Sequence, residues 1–198
     1  WCCYTTLTPN RFAWWRKRSH LKWLQHVIRS MPFPEVTWGE EVAYAEGMMK
    51  SPVFEKVNLD SEPLMPEVLP SEPLKIVTYQ LDIHIAVAQQ VYDALSSRGV
   101  ECELKVYEHP EFDLVESLAK ADIIVSGEVF ADDIELSWMS WFLSTNTSNA
   151  CLEPKYMDWV KDKVVRAMKL PSKLQRLKQL EQTEQALVTK GVYPTIFH

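Results

Sequence analysis

The sequence predicts an α/β fold in which a mixed, mainly parallel sheet is flanked by helices on both faces. Three observations lead there. Between residues 74 and 127 short β-rich runs alternate with segments of helical period, the pattern of crossover units that join parallel strands. From Pro154 onward the chain has helical period almost to its end. An apolar content of 46% with 24% charged residues in 198 residues suffices for one sizeable core or two small ones, and it excludes disordered and collagen-like classes.

Each element has its own local cause. Residues 2 to 7 alternate weakly and favour a strand, closed by a turn at Pro9-Asn10. Leu21, Leu24, Val27, Ile28 and Met31 fall at helical spacing, so a helix is expected from Ser19 to Met31, stopped by Pro32 and Pro34. Residues 51–73 hold five of the chain's twelve prolines and show no period; they read as an extended connector inside the fold. Then follow strand 74–79, helix 84–99, strand 100–108, a short helix 112–118 and strand 121–127, with Gly99 where a helix C-terminal cap belongs. A helix is expected over 154–168. Pro171 breaks it, and Ser172 caps another that runs to Lys190, with Gln175 at the capping-box spacing and Gly191 behind. The closing "VYPTIFH" reads as a strand. No period of about 20–50 residues repeats, so a solenoid is not expected.

Function is constrained mainly by what is missing. No apolar run approaches the roughly 20 residues of a bilayer span, so membrane insertion is not expected, and "WCCYTTLTPN" is unlike a signal peptide. The chain starts on Trp1, which makes a fragment of a longer protein the expectation. Cys2, Cys3, Cys102 and Cys151 lack zinc-ligand spacing and read as small buried hydrophobes in a reducing compartment. Nucleophile-elbow, Walker, dinucleotide and zincin motifs are absent, and there are only five glycines, so neither catalysis nor a cofactor or metal is expected.

Two stretches carry unusual charge. Arg11 to Arg29 holds six Arg or Lys and no acid against a whole-chain net charge of -6, so the remainder carries -12. Interleaved with Phe12, Trp14, Trp15 and Trp23, it could track a nucleic acid, but the helical spacing favours a solvated cationic face, and the acidic remainder would repel a polyanion. The second stretch, "ADIIVSGEVFADDIELSW", places Glu128, Asp132, Asp133 and Glu135 just past an expected parallel strand. Asp132 and Asp133 are adjacent and diverge on an extended backbone, which argues against a catalytic carboxylate pair. The carboxyl end of such a strand is where clefts form in open α/β sheets. Gly127, Glu128, Phe130 and Asp132 are therefore the candidate cleft rim, with Arg16, Lys17 and Arg18 as candidate anion contacts for a phosphorylated ligand. Trp138, Trp141 and Phe142 share helical spacing and include core residues; His84 and His109 read as a helix-start residue and a turn residue.

The order of motifs resembles the family 5 solute-binding proteins, the peptide, dipeptide and nickel receptors of ABC importers. The resemblance is carried by "LKIVTY", then "AVAQQVYDALSSRGVECEL", then "ADIIVSGEVFADD", a following helix with "FL", two further helices and "GVYPTIFH". It covers most of residues 74–198 and, more loosely, 2–31. It implies a type II periplasmic-binding-protein-like lobe spanning residues 1–198, entered through "CYTTL" and left through "YPTIFH". It also implies a small-molecule ligand (sugar, sugar phosphate or peptide) and no catalysis. The peptide receptors have a Trp after the Gly and an anchoring Asp four residues after that Gly; here those positions are Glu128 and Ala131, and Asp132 meets the motif only with a one-residue slip. In that departure the chain is similar to the SgrR-type transcriptional regulators, whose cytoplasmic solute-binding domain follows a winged helix. That branch implies a ligand sensor whose DNA contact belongs to a domain outside this chain. The alternative implied is a periplasmic peptide receptor that works with an ABC permease.

Overall fold

The computed structural model describes residues 2–7, 14–15, 17–31, 63–112, 114–128, 133–144, 152–189 and 196–197. Strand β1 is Cys2–Leu7 and helix α1 Arg18–Arg29. Strand β2, Leu74–Tyr79, leads into helix α2, Asp82–Ser96, and strand β3, Cys102–Tyr107. Two single-turn helices, α3 (His109–Phe112) and α4 (Val115–Leu118), precede strand β4, Ile123–Glu128. Helices α5 (Ile134–Ser144), α6 (Pro154–Met168) and α7 (Lys173–Thr189) follow, and strand β5, Ile196–Phe197, closes the sheet.

The strands form one sheet in the order β3-β2-β4-β1-β5. β3, β2 and β4 are mutually parallel, joined by crossovers through α2 and through α3 and α4; β1 pairs antiparallel with β4 and with β5. The sheet is thus mixed, and its parallel half is the part that the strand–helix alternation predicted. Because side chains alternate across a strand, Leu74, Ile76, Ile123 and Val125 face α1 and α2. There they pack on Leu21, Leu24, Val27 and Ile28 of α1 and on Val87, Ala88, Val91 and Leu95 of α2. Val77, Tyr79 and Ile124 face the opposite way and are covered by Phe112 and Leu118. Burying side chains of this size stabilises by about 1.5–3 kcal/mol each, which is why every turn of α2 spends its apolar positions on the sheet.

Local details fix the ends of the elements. Gly99 has φ +80°, the left-handed region; its amide donates to Ser96 O and that of Val100 to Leu95 O. These paired bonds form the Schellman closure that glycine permits, so the regular helix stops at Ser96, three residues before the glycine. The predicted single helix 112–118 is two separate turns, and His109 belongs to the first of them. Pro110 suits a first helical turn because it has no amide to satisfy, and the amides of Glu111 and Phe112 donate to Glu108 O. Asp122, fully buried, fixes β4 to β2: its Oδ2 accepts the Lys75 amide at 2.8 Å and its own amide donates to Lys75 O. The Ser172 cap is present, its Oγ accepting the Gln175 amide at 3.2 Å.

The described part of the connector, residues 63–73, is irregular, as its prolines predict. The turn at Pro9-Asn10, the stop at Pro32 and Pro34, residues 51–62, Lys190 and Gly191 lie outside the described residues. The tryptophans of the basic segment are structural: Trp15 and Trp23 are buried in the core, and Trp14 Nε1 donates to Val68 O. Cys102 is a free thiol, half-buried on β3; Cys2 and Cys3 lie in β1, and Cys151 is outside the described residues.

Candidate functional site

Three parallel strands end at the same edge of the sheet, and each hands the chain to a loop or helix there. Tyr79 of β2 is level with Tyr107 of β3, and the Gln80 amide donates to Tyr107 O at 3.0 Å. From the pairings Ile76 to Ile123 and Val77 to Ile124, Tyr79 is level with Ser126. Gly127 and Glu128 therefore project past the end of β2 at this edge. Glu128 lies opposite Cys2, so β1 begins at the same edge.

Beside that projection sits a cluster that sequence reasoning did not find. The Tyr79 ring meets the His84 ring edge-on at 4.5 Å, the His109 ring at 5.1 Å and Phe112 at 4.9 Å. His84 opens α2 and its side chain points inward; the residue is 1% exposed and its Nδ1 has no hydrogen-bond partner. Burial lowers its pKa from 6.5 to about 4, because an imidazolium there would lose water without gaining an anion. His84 is therefore a neutral imidazole at physiological pH. The one available signal was positional: His84 and His109 each follow a strand by a few residues, and parallel strands bring such residues to one edge.

The carboxylates of the acidic stretch, residues 121–138, divide into different roles. Asp133 caps α5: its Oδ1 accepts the amides of Glu135 at 3.1 Å and Leu136 at 3.4 Å, and Lys173 Nζ lies 3.5 Å away. Desolvation is the largest single influence on its pKa and pushes it up, but the Leu136 amide, the Lys173 charge and the Glu135 amide together outweigh it and hold the carboxyl below the usual value. Glu135 turns inward and ties α5 to α7, its Oε1 accepting from Arg176 Nε at 2.6 Å, while Arg176 Nη1 donates to Leu170 O at 3.3 Å. Glu128 ends β4, though its side chain is not among those described; Phe130, Ala131 and Asp132 lie outside the described residues. Gly127 is half-buried at the strand end. Trp138 is buried on α5, as its spacing predicted, whereas the side chains of Trp141 and Phe142 are not described.

Of the candidate anion contacts, only Lys17 has a described side chain. Lys17 is exposed at the start of α1, three residues after Trp14, whose indole reaches Val68 O and whose carbonyl bonds His20 Nδ1. Leu69, next along, lies against Gly99, at the turn into β3. Lys17 thus sits toward the amino ends of the parallel strands, at the other end from Gly127. Arg16 lies outside the described residues, and the side chain of Arg18 is not described. Among the described residues no group of three or more His, Cys, Asp or Glu is placed to hold a metal ion, and no helix is long and apolar enough to cross a membrane. The exposed His109 ring and the strand-end backbone can contact a polar solute, with Tyr79 and the buried His84 packed behind them. They do not assemble a nucleophile with a base and an orienting partner.

No family model and no curated protein matches the sequence. Solved structures do match the fold. A dipeptide-binding protein from Pseudoalteromonas, crystallised with Met-Leu, superposes with a TM-score of 0.65 at 14% identity, over 100% of this chain and 42% of that one. A periplasmic oligopeptide-binding protein from Borrelia burgdorferi gives 0.68 at 14% identity, over 98% and 43% of the two chains. NikA from Brucella suis, solved with Fe(III)-EDTA, gives 0.65 at 14% identity, over 98% and 45%. The chain spans less than half the length of each of these proteins. Its fold is α/β and periplasmic-binding-protein-like.

Proposed function

We propose that this chain is one lobe of a bilobal solute-binding protein and that its ligand, peptide-like in size and polarity, is held at the carboxyl edge of β2, β3 and β4. The observation that carries this reading is the convergence of Tyr79, His84, His109 and Gly127 on one sheet edge, in a fold shared with proteins that bind dipeptides and oligopeptides. Such receptors close two lobes on a ligand, so a single lobe makes only part of the contacts and binds weakly. The role is binding without chemistry. A receptor working with an ABC permease in the periplasm is the better supported form of this reading, because peptide-binding proteins recur among the similar structures.

A second form is favoured by one observation: Glu128 stands where the peptide receptors have Trp, and Ala131 where they have the anchoring Asp. In that form the lobe belongs to a cytoplasmic SgrR-like regulator that senses a sugar or sugar phosphate, with DNA bound by another domain. Calorimetric titration with di- and tripeptides, sugars and sugar phosphates separates the two. Heat from peptides alone supports the receptor; heat from sugars or their phosphates alone supports the sensor. The double variant Glu128→Ala/Asp132→Ala weakens binding if the rim is placed correctly. Unchanged constants in that variant would make these acids surface charge.

A further inference from the structure

Among the described strands β3 lies at an edge of the sheet, and the phase of its hydrogen bonds shows which of its groups face away from β2. Glu101 O accepts from the Leu74 amide and Tyr107 O from the Gln80 amide, so the odd-numbered residues of this strand bond inward. The amides and carbonyls of Cys102, Leu104 and Val106 therefore point outward, away from the sheet. A row of outward main-chain groups is a template for another strand. Side chains alternate the other way, between the two faces. Cys102 and Leu104 pack toward the α2 side and Tyr107 toward α3, which puts Glu103 and Lys105 together on the α3 side. Both are exposed, and neither makes an ion pair with a described residue; Lys105 Nζ rests over the Tyr107 ring at 4.2 Å. Val106 leaves 41% of its surface in water on the α2 side.

We infer that β3 pairs antiparallel with β3 of a second copy of this chain, about a two-fold axis at Leu104. The register follows from the bonding phase. Outward-facing residues meet outward-facing residues when Leu104 lies opposite its own symmetry mate, and Cys102 then lies opposite Val106 of the other copy. In that register Glu103 of one copy lies opposite Lys105 of the other, and the reverse. These are non-hydrogen-bonded positions, whose Cα atoms approach to about 4.5 Å, the closer of the two antiparallel spacings. The charge pattern is therefore self-complementary, while a parallel, in-register pairing would set Glu103 against Glu103. The exposed Val106 gains cover from Cys102 across the axis. The interface is one strand wide, so the dimer is weak, with a dissociation constant of roughly 10–500 μM.

Sedimentation of this chain from low micromolar to about 500 μM, paired with its charge-reversed variants, tests this inference. The unmodified chain is expected to reach a monomer–dimer equilibrium. Lys105→Glu alone, and Glu103→Lys alone, each turn both cross-strand pairs into like-charge pairs and should raise the dissociation constant roughly 30-fold or more. An equimolar mixture of the two single variants restores opposite charges at every pair, and it should associate as tightly as the unmodified chain. This rescue also shows that each variant is folded. A chain that stays monomeric throughout, a dimer indifferent to either reversal, or a mixture that does not associate would each overturn the proposal.

Discussion

Replacing Arg176 by Met removes the partner of a carboxylate that water barely reaches. The Glu135 side chain is 7% exposed and the Arg176 side chain 25%, with Nε 2.6 Å from Oε1. Stranding one member of a fully buried pair costs about 3–5 kcal/mol. Because a quarter of the arginine is in water, the lower end of that range applies, and the lost bond to Leu170 O, long at 3.3 Å, adds less than about 1 kcal/mol. The sum is about 3 kcal/mol. For a chain of this size 1 kcal/mol moves Tm by about 2–4 °C, so calorimetry should show a loss of roughly 9 °C. The same substitution in a Glu135→Leu background should cost far less, because no charge is then left buried. A fall of less than about 3 °C in the single variant, or a double variant as unstable as the single, would refute the reasoning that this pair holds α5 against α7.

Three further outcomes follow from the same structure. His84 keeps its depressed pKa only while folded, so the unfolded chain takes up its proton first as pH falls from about 6.5 towards 4. Stability should fall by about 3 kcal/mol across that window, and chemical denaturation of His84→Phe should show a shallower slope there. Asp122→Ala strands the Lys75 amide and removes the side-chain half of the link between β2 and β4; a loss of about 2–3 kcal/mol is expected in urea titration. Gly99→Ala places a Cβ where Leu69 leaves ordinary contact distance at 3.8 Å, so only the left-handed backbone opposes it, with a loss of about 1 kcal/mol by the same titration.

Much of this architecture was legible because the physics behind it is local. β2 and α6 match their predicted bounds, since alternation and helical period act over a few residues and prolines or turn residues end them. Boundaries slipped where a nonlocal or capping bond decided them, as at Gly99, where the Schellman closure shortened α2, and at His109, which begins a helix instead of lying in a turn. The site was less legible. The parallel strand that ends at Glu128 was foreseen, but Tyr79, His84 and His109 are brought together only by strand pairing, and spacing along the chain does not encode which residues strand pairing joins. Glu135 shows the same limit: it stands in the acidic stretch of the sequence, but its partner lies 41 residues away on another helix.

The central claim is that ligand meets this chain at the carboxyl edge of its parallel strands. It is tested most directly by following backbone amide shifts in two-dimensional NMR while short peptides, sugars and sugar phosphates are titrated in turn. One of these classes should move Tyr79, His84, His109 and Gly127 together, saturating on the order of millimolar. Lys17 and Gly99, at the opposite end of the sheet, should stay still. Shifts centred on Lys17 and Gly99, or no saturable shift at the Tyr79 edge with any of the three classes, would contradict it.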